Sequence, residues 1–353
     1  MTRTQNPLPF ASPHRLKHLQ LPLPDCIKTP KSLPSLKIVP STQSTDPTHT
    51  VSPDPALQGY RALYGLTELP GTHTQGVLSL AGFNIHVQLF EPDTVSQGTV
   101  WLLHGYLEHS ALYQPIILEI LQQGFSVIAY DLPGHGLSDG KIASIQEFAD
   151  YQRVLDGVRE WAVAQPAGHL PLPWLGIGQS TGGAIWMDHC LRRAARHQSA
   201  MVSRLLLLSP LVRPAKSAWW HNALGLALVK QVKRDVPRLF RRNNHNPEFL
   251  RFVRLSDPLQ PRVMGMDWIV ALTRWIPLME MQPPCRMPVW LAQGARDQTV
   301  DWRYNHEFIR RKFRLQTTLI LEEGSHQLIN ERADIRHALT AFIPAFLHAD
   351  GST

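Results

Sequence analysis

Two hydrophobic patterns follow one another along this chain. Ile85, Val87 and Leu89 alternate with His86 and Gln88, the period-2 signature of a half-buried strand. Residues 76–80 predict a strand before it, with Ala81-Gly82 as the turn between the two. Further on, short continuous apolar runs replace the alternation, at 100–103, 125–130, 174–177, 205–208, 289–292 and 318–321. Unbroken runs of this length suit strands covered on both faces. Helical patterns lie between most of them, around 112–122, 147–164, 182–196 and 303–313, with a last one near 332–347. Strand–helix alternation of this kind predicts a mostly parallel sheet with helices on both sides.

One stretch breaks the rhythm. Between Pro210 and Arg286 no clear sheet strand is legible. It holds Trp219-Trp220 and Leu224, Leu226 and Leu228, then the basic residues Lys230, Lys233, Arg234, Arg238, Arg241 and Arg242. A mostly helical insertion of that size in a doubly wound domain reads as a lid or cap. The expected organisation is an arm over 1–55, a core over 56–210, a cap over 211–285 and the rest of the core over 286–353.

Composition changes the picture mainly at the start. Residues 1–55 contain 11 of the 29 prolines and none of the ten tryptophans. Such a segment buries too little apolar surface to offset its ordering entropy, so a disordered, proline-rich arm is expected. It lacks the apolar stretch of a secretory signal, and its prolines oppose an amphipathic targeting helix. Over the whole chain of 353 residues, 43% are hydrophobic and 18% charged, enough to build a sizeable core. No apolar run approaches the roughly 20 residues that span a bilayer. The three cysteines, Cys26, Cys190 and Cys285, form no close pair, which fits a reducing compartment and excludes a disulfide framework. The net charge of +7 permits attraction to anionic lipid or to nucleic acid and demonstrates neither.

The candidate chemistry centres on Gly178-Gln179-Ser180-Thr181-Gly182, which fits G-x-S-x-G. It follows an apolar run and precedes a helical pattern, the strand–turn–helix setting of a nucleophile elbow. A Gly-rich structural turn with a capping serine fits the pentapeptide equally well. A serine hydroxyl needs a base, and His326, just past the run 318–321, is the best placed of 17 histidines. An imidazole needs an acid to fix its tautomer. Asp297, just past 289–292, is the first candidate, and Asp301 is the rival that more naturally begins the next helix. Either carboxylate also suits an N-cap. Upstream, the turn after 100–103 can offer a backbone N–H to an oxyanion, which makes the amides of Tyr106 and Thr181 the expected donors. His104 reads as a brace for that turn. The Gly-rich segment 131–139 lacks the Lys-Ser/Thr of a phosphate loop and reads as a sharp structural loop. No cluster has metal-ligand spacing.

His104-Gly105-Tyr106-Leu107-Glu108-His109-Ser110, Asp131-Leu132-Pro133-Gly134-His135-Gly136-Leu137-Ser138 and the elbow together resemble the monoglyceride lipase and lysophospholipase branch of the α/β-hydrolases. Gly294-Ala295-Arg296-Asp297 and Gly324-Ser325-His326 match its acid and histidine loops, and Ser256-Asp257-Pro258-Leu259 resembles its cap. The similarity covers about residues 75–348. It implies the α/β-hydrolase fold, a mostly parallel eight-stranded sheet with a helical cap inserted before the acid-bearing strand. It implies Ser180 as nucleophile, Asp297 as acid, His326 as base and Tyr106 and Thr181 as oxyanion donors, with no cofactor and no metal. The sequence departs from the pattern in two places: Gln179 and Thr181 replace the usual His and Met of the elbow, and Tyr106 stands where a small residue is usual and would narrow the pocket.

The expected activity is hydrolysis of a carboxylic ester of a single-chain lipid, of lysophospholipase or monoacylglycerol lipase type. The alternatives are a peptidase, thioesterase or acyltransferase of the same fold, or a non-catalytic binding module. The expected partners are a small lipid-like ester and, through the basic cap residues, an anionic membrane surface, with no nucleic acid. The expected location is cytoplasmic, peripheral at the inner face of a membrane.

Overall fold

The computed structural model describes residues 55–349, except 167, 216–234 and 241. The proline-rich arm, the apolar stretch 219–229 and Lys230, Lys233 and Arg234 therefore lie outside the described residues.

Helix α1 (Pro55–Leu63) precedes a hairpin of β1 (Thr72–Leu80) and β2 (Phe83–Glu91). Its turn residues Ala81 and Gly82 both have positive φ, 52° and 84°, as the tight turns that match strand twist require. Then come β3 (Thr99–Leu103), α2 (Gln114–Gln122), β4 (Ser126–Tyr130), α3 (Ala149–Val163), β5 (Trp174–Gln179), α4 (Thr181–Ala195) and β6 (Leu205–Leu208). After an insertion the chain returns with β9 (Pro288–Gly294), α7 (Trp302–Lys312), β10 (Arg314–Leu321) and α8 (Ala333–Leu347). These strands form one eight-stranded sheet in the order β1-β2-β4-β3-β5-β6-β9-β10. It is antiparallel at β1–β2 and β2–β4 and parallel from β4 to β10. This is the α/β-hydrolase architecture that the patterning and the resemblance led us to expect.

The continuous apolar runs are explained by two cores, one on each face. Successive side chains on a strand point to opposite sides. Trp101, Leu103, Ile128, Tyr130, Leu205 and Leu207 join α3 and α4 in one core. Val100, Leu102, Val127, Ala129, Leu206 and Leu208 join α1, α2 and α8 in the other. Met187 and Cys190 of α4 are buried in the first.

Strand β2 corrects the sequence reading. Its alternation suggested one wet face, yet His86 and Gln88 are fully buried. Their polar groups have partners instead of solvent. His86 Nδ1 lies 3.2 Å from Asp131 Oδ2, and Gln88 donates to Ser110 Oγ at 2.8 Å. Asp131 also accepts from the Ser110 and Leu137 amides, both at 2.8 Å. A Cβ at Gly136 would fall 2.2 Å from its Oδ2, so the Gly-rich loop is shaped around this carboxylate.

The insertion between β6 and β9 departs from the mostly helical expectation in one respect. Two three-residue strands, β7 (Asp235–Pro237) and β8 (Val263–Gly265), pair antiparallel. They are too short to leave a readable period. Helix α5 (Pro247–Arg251) runs into a π-turn, Phe252–Ser256, and α6 (Met266–Met281) packs its buried face on the first core.

Candidate active site

Four loops at the carboxyl ends of the parallel strands β3, β5, β9 and β10 converge, where open α/β sheets place their sites. Ser180 occupies a one-residue elbow between β5 and α4, with φ 49° and ψ −109°. A non-glycine residue there stores about 1–3 kcal/mol. The surrounding chain holds it: the Ser180 amide donates to Leu208 O at 2.9 Å, and its carbonyl accepts from Ala184 and Leu211, each at 3.0 Å. The flanking glycines are demanded by contact. A Cβ on Gly178 would sit 2.5 Å from the Gly182 carbonyl carbon, and one on Gly182 only 2.1 Å from Leu103 O. The alternative of an ordinary capped turn fails here, because Ser180 makes no side-chain cap bond to α4.

The three candidate residues meet. His326 Nε2 lies 3.0 Å from Ser180 Oγ, and His326 Nδ1 lies 2.8 Å from Asp297 Oδ2. A carboxylate can only accept, so Nδ1–H donates to Asp297 and Nε2 is left to accept the serine proton. All three residues are buried. Burial pushes the His326 pKa down, but the Asp297 charge and hydrogen bond outweigh it and the net direction is upward. For Asp297 burial pushes upward, while His326 and the Thr299 and Val300 amides hold its pKa below the ordinary value. Those amides bind Asp297 Oδ1 at 2.8 and 3.2 Å. The rival carboxylate, Asp301, is the N-cap of α7 and accepts from the Tyr304 amide.

Around this trio stand residues whose roles the sequence did not reveal. Gln293 Nε2 donates to Asp297 Oδ2 at 3.1 Å. Gln179, in the position usually held by His, donates from Nε2 to the His326 carbonyl at 2.8 Å. Only the departure from the family pattern marked it. His104 braces the upstream turn as expected. Its Nδ1–H donates to Gly105 O and its Nε2 accepts from the Leu132 amide, each at 2.8 Å, and burial lowers its pKa to about 4. Gly105 N donates to Glu108 Oε2 at 3.1 Å and to Tyr113 Oη at 2.9 Å.

The Tyr106 side chain turns to the root of the insertion. Its hydroxyl donates to Ala143 O at 2.8 Å and accepts from the Gly265 amide at 3.1 Å. Its ring stacks on Trp268, centroids 3.6 Å apart and planes within 9°. Arg238 needs a correction. It was grouped with basic residues facing a membrane, but its guanidinium points inward. It donates to Leu107 O, Pro261 O and Gln260 Oε1 and lies 4.4 Å from the Phe240 ring centroid. Burial lowers its pKa to about 10.

A serine, a histidine and an aspartate so aligned on an eight-stranded sheet define an α/β-hydrolase. The family described as serine aminopeptidase, S33 matches residues 94–333, and the chain belongs to it. Within the α/β-hydrolases it is similar to monoglyceride lipases. The monoacylglycerol lipase of Mycolicibacterium smegmatis is 32% identical over 157 residues, 44% of this chain and half the length of that protein. The human monoglyceride lipase is 24% identical over 263 residues, 71% of this chain and 82% of that one. Among solved structures, a soluble variant of the monoglyceride lipase of Saccharomyces cerevisiae, in complex with a substrate analogue, superposes with a TM-score of 0.64 at 15% identity. It covers 78% of this chain and 95% of its own, a likeness of fold.

Proposed function

We propose that this chain cleaves carboxylic esters of single-chain lipids, monoacylglycerols or lysophospholipids, by way of an acyl-enzyme on Ser180. Its class is that of the carboxylic ester hydrolases. The observation that carries the finer mechanism is the continuous hydrogen-bonded line Ser180 Oγ–His326 Nε2 and His326 Nδ1–Asp297 Oδ2, mounted on a strained elbow.

In this reading Ser180 Oγ attacks the ester carbonyl while His326 Nε2 takes its proton. Asp297 stays ionised, fixes the tautomer and stabilises the imidazolium. The developing oxyanion is received by the N–H groups of Tyr106 and Thr181. The N-terminus of α4, where Thr181 is the first residue, adds its dipole. The alcohol leaves with the proton held by His326. Water, deprotonated by the same nitrogen, then frees the acid and restores Ser180. The lipid-directed part rests on the lipase relatives. The family description keeps one second reading in play, an aminoacyl peptidase.

The test is a fluorophosphonate probe followed by a substrate panel. The probe is expected to label wild-type protein at Ser180 and to leave Ser180→Ala unlabelled. Monoacylglycerols or lysophospholipids are expected to be turned over faster than aminoacyl amides. Labelling of Ser180→Ala at the wild-type rate refutes the nucleophile; a preference for aminoacyl amides refutes the ester reading.

A further inference from the structure

The backbone on either side of His326 is held by Glu331, at the far end of its own loop, and by residues outside that loop. Ser325 N–H donates to Glu331 Oε1 at 3.0 Å. The His326 carbonyl accepts from Gln179 at 2.8 Å. Gln327 N–H donates to Asn243 O at 3.0 Å, and Gln327 O accepts from Asn244 Nδ2 at 2.8 Å. Asn243 and Asn244 belong to the insertion. So does His245, whose amide donates to Glu331 Oε2 at 2.9 Å and whose Nδ1 lies 3.0 Å from Glu331 Oε1. Glu331 and Asn244 are fully buried.

From this we infer that Glu331 is a positioning residue: with the insertion segment 243–245 it fixes His326 within reach of Ser180. The inference rests on the triad reading above. Glu331 accepts four N–H groups, from Ser325, His245 twice and Arg332. A buried carboxylate has the acceptor capacity for four donors. A glutamine of the same shape does not, because its NH₂ end must face one donor pair. That pair is either Ser325 N–H with the His245 ring or His245 N–H with Arg332 N–H. The first choice releases the residue before His326; the second releases the insertion. His326 has only 3.0 Å to Ser180 Oγ, and a displacement of about 1 Å in a reacting group can cost on the order of a hundredfold in rate. The insertion thus acts as a fixed wall for the histidine loop.

The experiment measures kcat per titrated active site, from the burst with a soluble p-nitrophenyl ester, together with KM. For Glu331→Gln, kcat per titrated site is expected to fall roughly 10- to 100-fold with KM within about threefold. His245→Ala keeps Glu331 and loses one bond, so about a threefold fall is expected. A purely structural role lowers the titrated fraction and the melting temperature but leaves kcat per titrated site alone. Should Glu331→Gln not fold, the half-buried His245→Ala decides. A kcat per titrated site within twofold of wild type, in whichever of the two variants folds, overturns the proposal. Wild-type protein that the fluorophosphonate does not label at Ser180 would instead bring down the triad reading.

Discussion

At the scale of single residues, the site is a balance between burial and charge. Removing His326 from water favours its neutral form, while the Asp297 carboxylate 2.8 Å away favours the cation and prevails. The general base must be neutral, so activity is lost as pH falls through the His326 pKa. Because that pKa is raised, the acid limb of kcat/KM should lie above the ordinary histidine value of about 6.5. Asp297→Asn should move the limb to lower pH and reduce kcat by roughly 10⁴-fold, through loss of the charge and of the correct tautomer. An Asp297→Asn limb coincident with that of wild type, or mild loss beside a crippling Asp301→Asn, would reassign the acid. The trio was legible because each member follows an apolar run and the chain order is Ser, Asp, His. Gln293, Gln179 and Glu331 were not, since a glutamine or glutamate near a strand end carries no signal until its hydrogen-bond partner is known.

Among the elements, the joint between the insertion and the turn after β3 carries several contacts. Tyr106 binds Ala143 and Gly265 and stacks on Trp268 of α6, while Arg238 beyond β7 reaches Leu107 O. Leu107 has φ 63°, a conformation that the neighbouring chain must hold in place. Asp257 extends the joint into the core, 3.1 Å from His109 Nε2, and accepts from Tyr64 Oη at 2.7 Å. Tyr106→Phe should cost about 0.5–1.5 kcal/mol, because it removes the two hydrogen bonds of the hydroxyl while Gly265 N–H keeps its bond to Ala143 O at 3.2 Å. Denaturant melts would read this as a lower midpoint with an unchanged slope. Ser180 labelling should survive, since the Tyr106 amide remains. An unshifted midpoint would show that the hydroxyl bonds contribute nothing.

On the scale of the whole molecule, charge and surface matter. Among the described residues no helix is long and apolar enough to cross a membrane. Attraction to anionic lipid is expected from the basic residues of the insertion. Lys230, Lys233 and Arg234 carry this expectation, and Arg238 does not, being tied to Leu107 O in the turn after β3. At about 1 kcal/mol per charge near an anionic leaflet, three charges give on the order of a hundredfold in vesicle partition at low salt, screened over about 8–10 Å at physiological ionic strength. Turnover of monoacylglycerol in anionic vesicles should drop as salt rises, and changing the three to Gln should remove that dependence. Turnover of a short soluble ester should stay flat throughout. Equal salt insensitivity on both substrates would leave an esterase without an interfacial component.

The residue order alone marked the strands of the sheet and the candidates Ser180, His326 and Asp297, with Asp301 as the rival carboxylate. Continuous apolar runs need two covered faces, and a reactive serine needs a tight turn between glycines; both demands are local and leave local marks. It misjudged β2, where alternation normally means one wet face, because the partners that satisfy His86 and Gln88 lie at Asp131 and Ser110, far along the chain. For the same reason it left Arg238 facing outward. Only the tertiary structure decided which carboxylate meets His326, where the Tyr106 ring goes and what holds the histidine loop. Those outcomes depend on buried polar groups finding partners far along the chain, Asp297 with His326, Glu331 with His245 and Asn244 with Gln327 among them. Pairing at such distances follows from the packing of β9, β10 and the insertion, and no period or spacing in the chain encodes it.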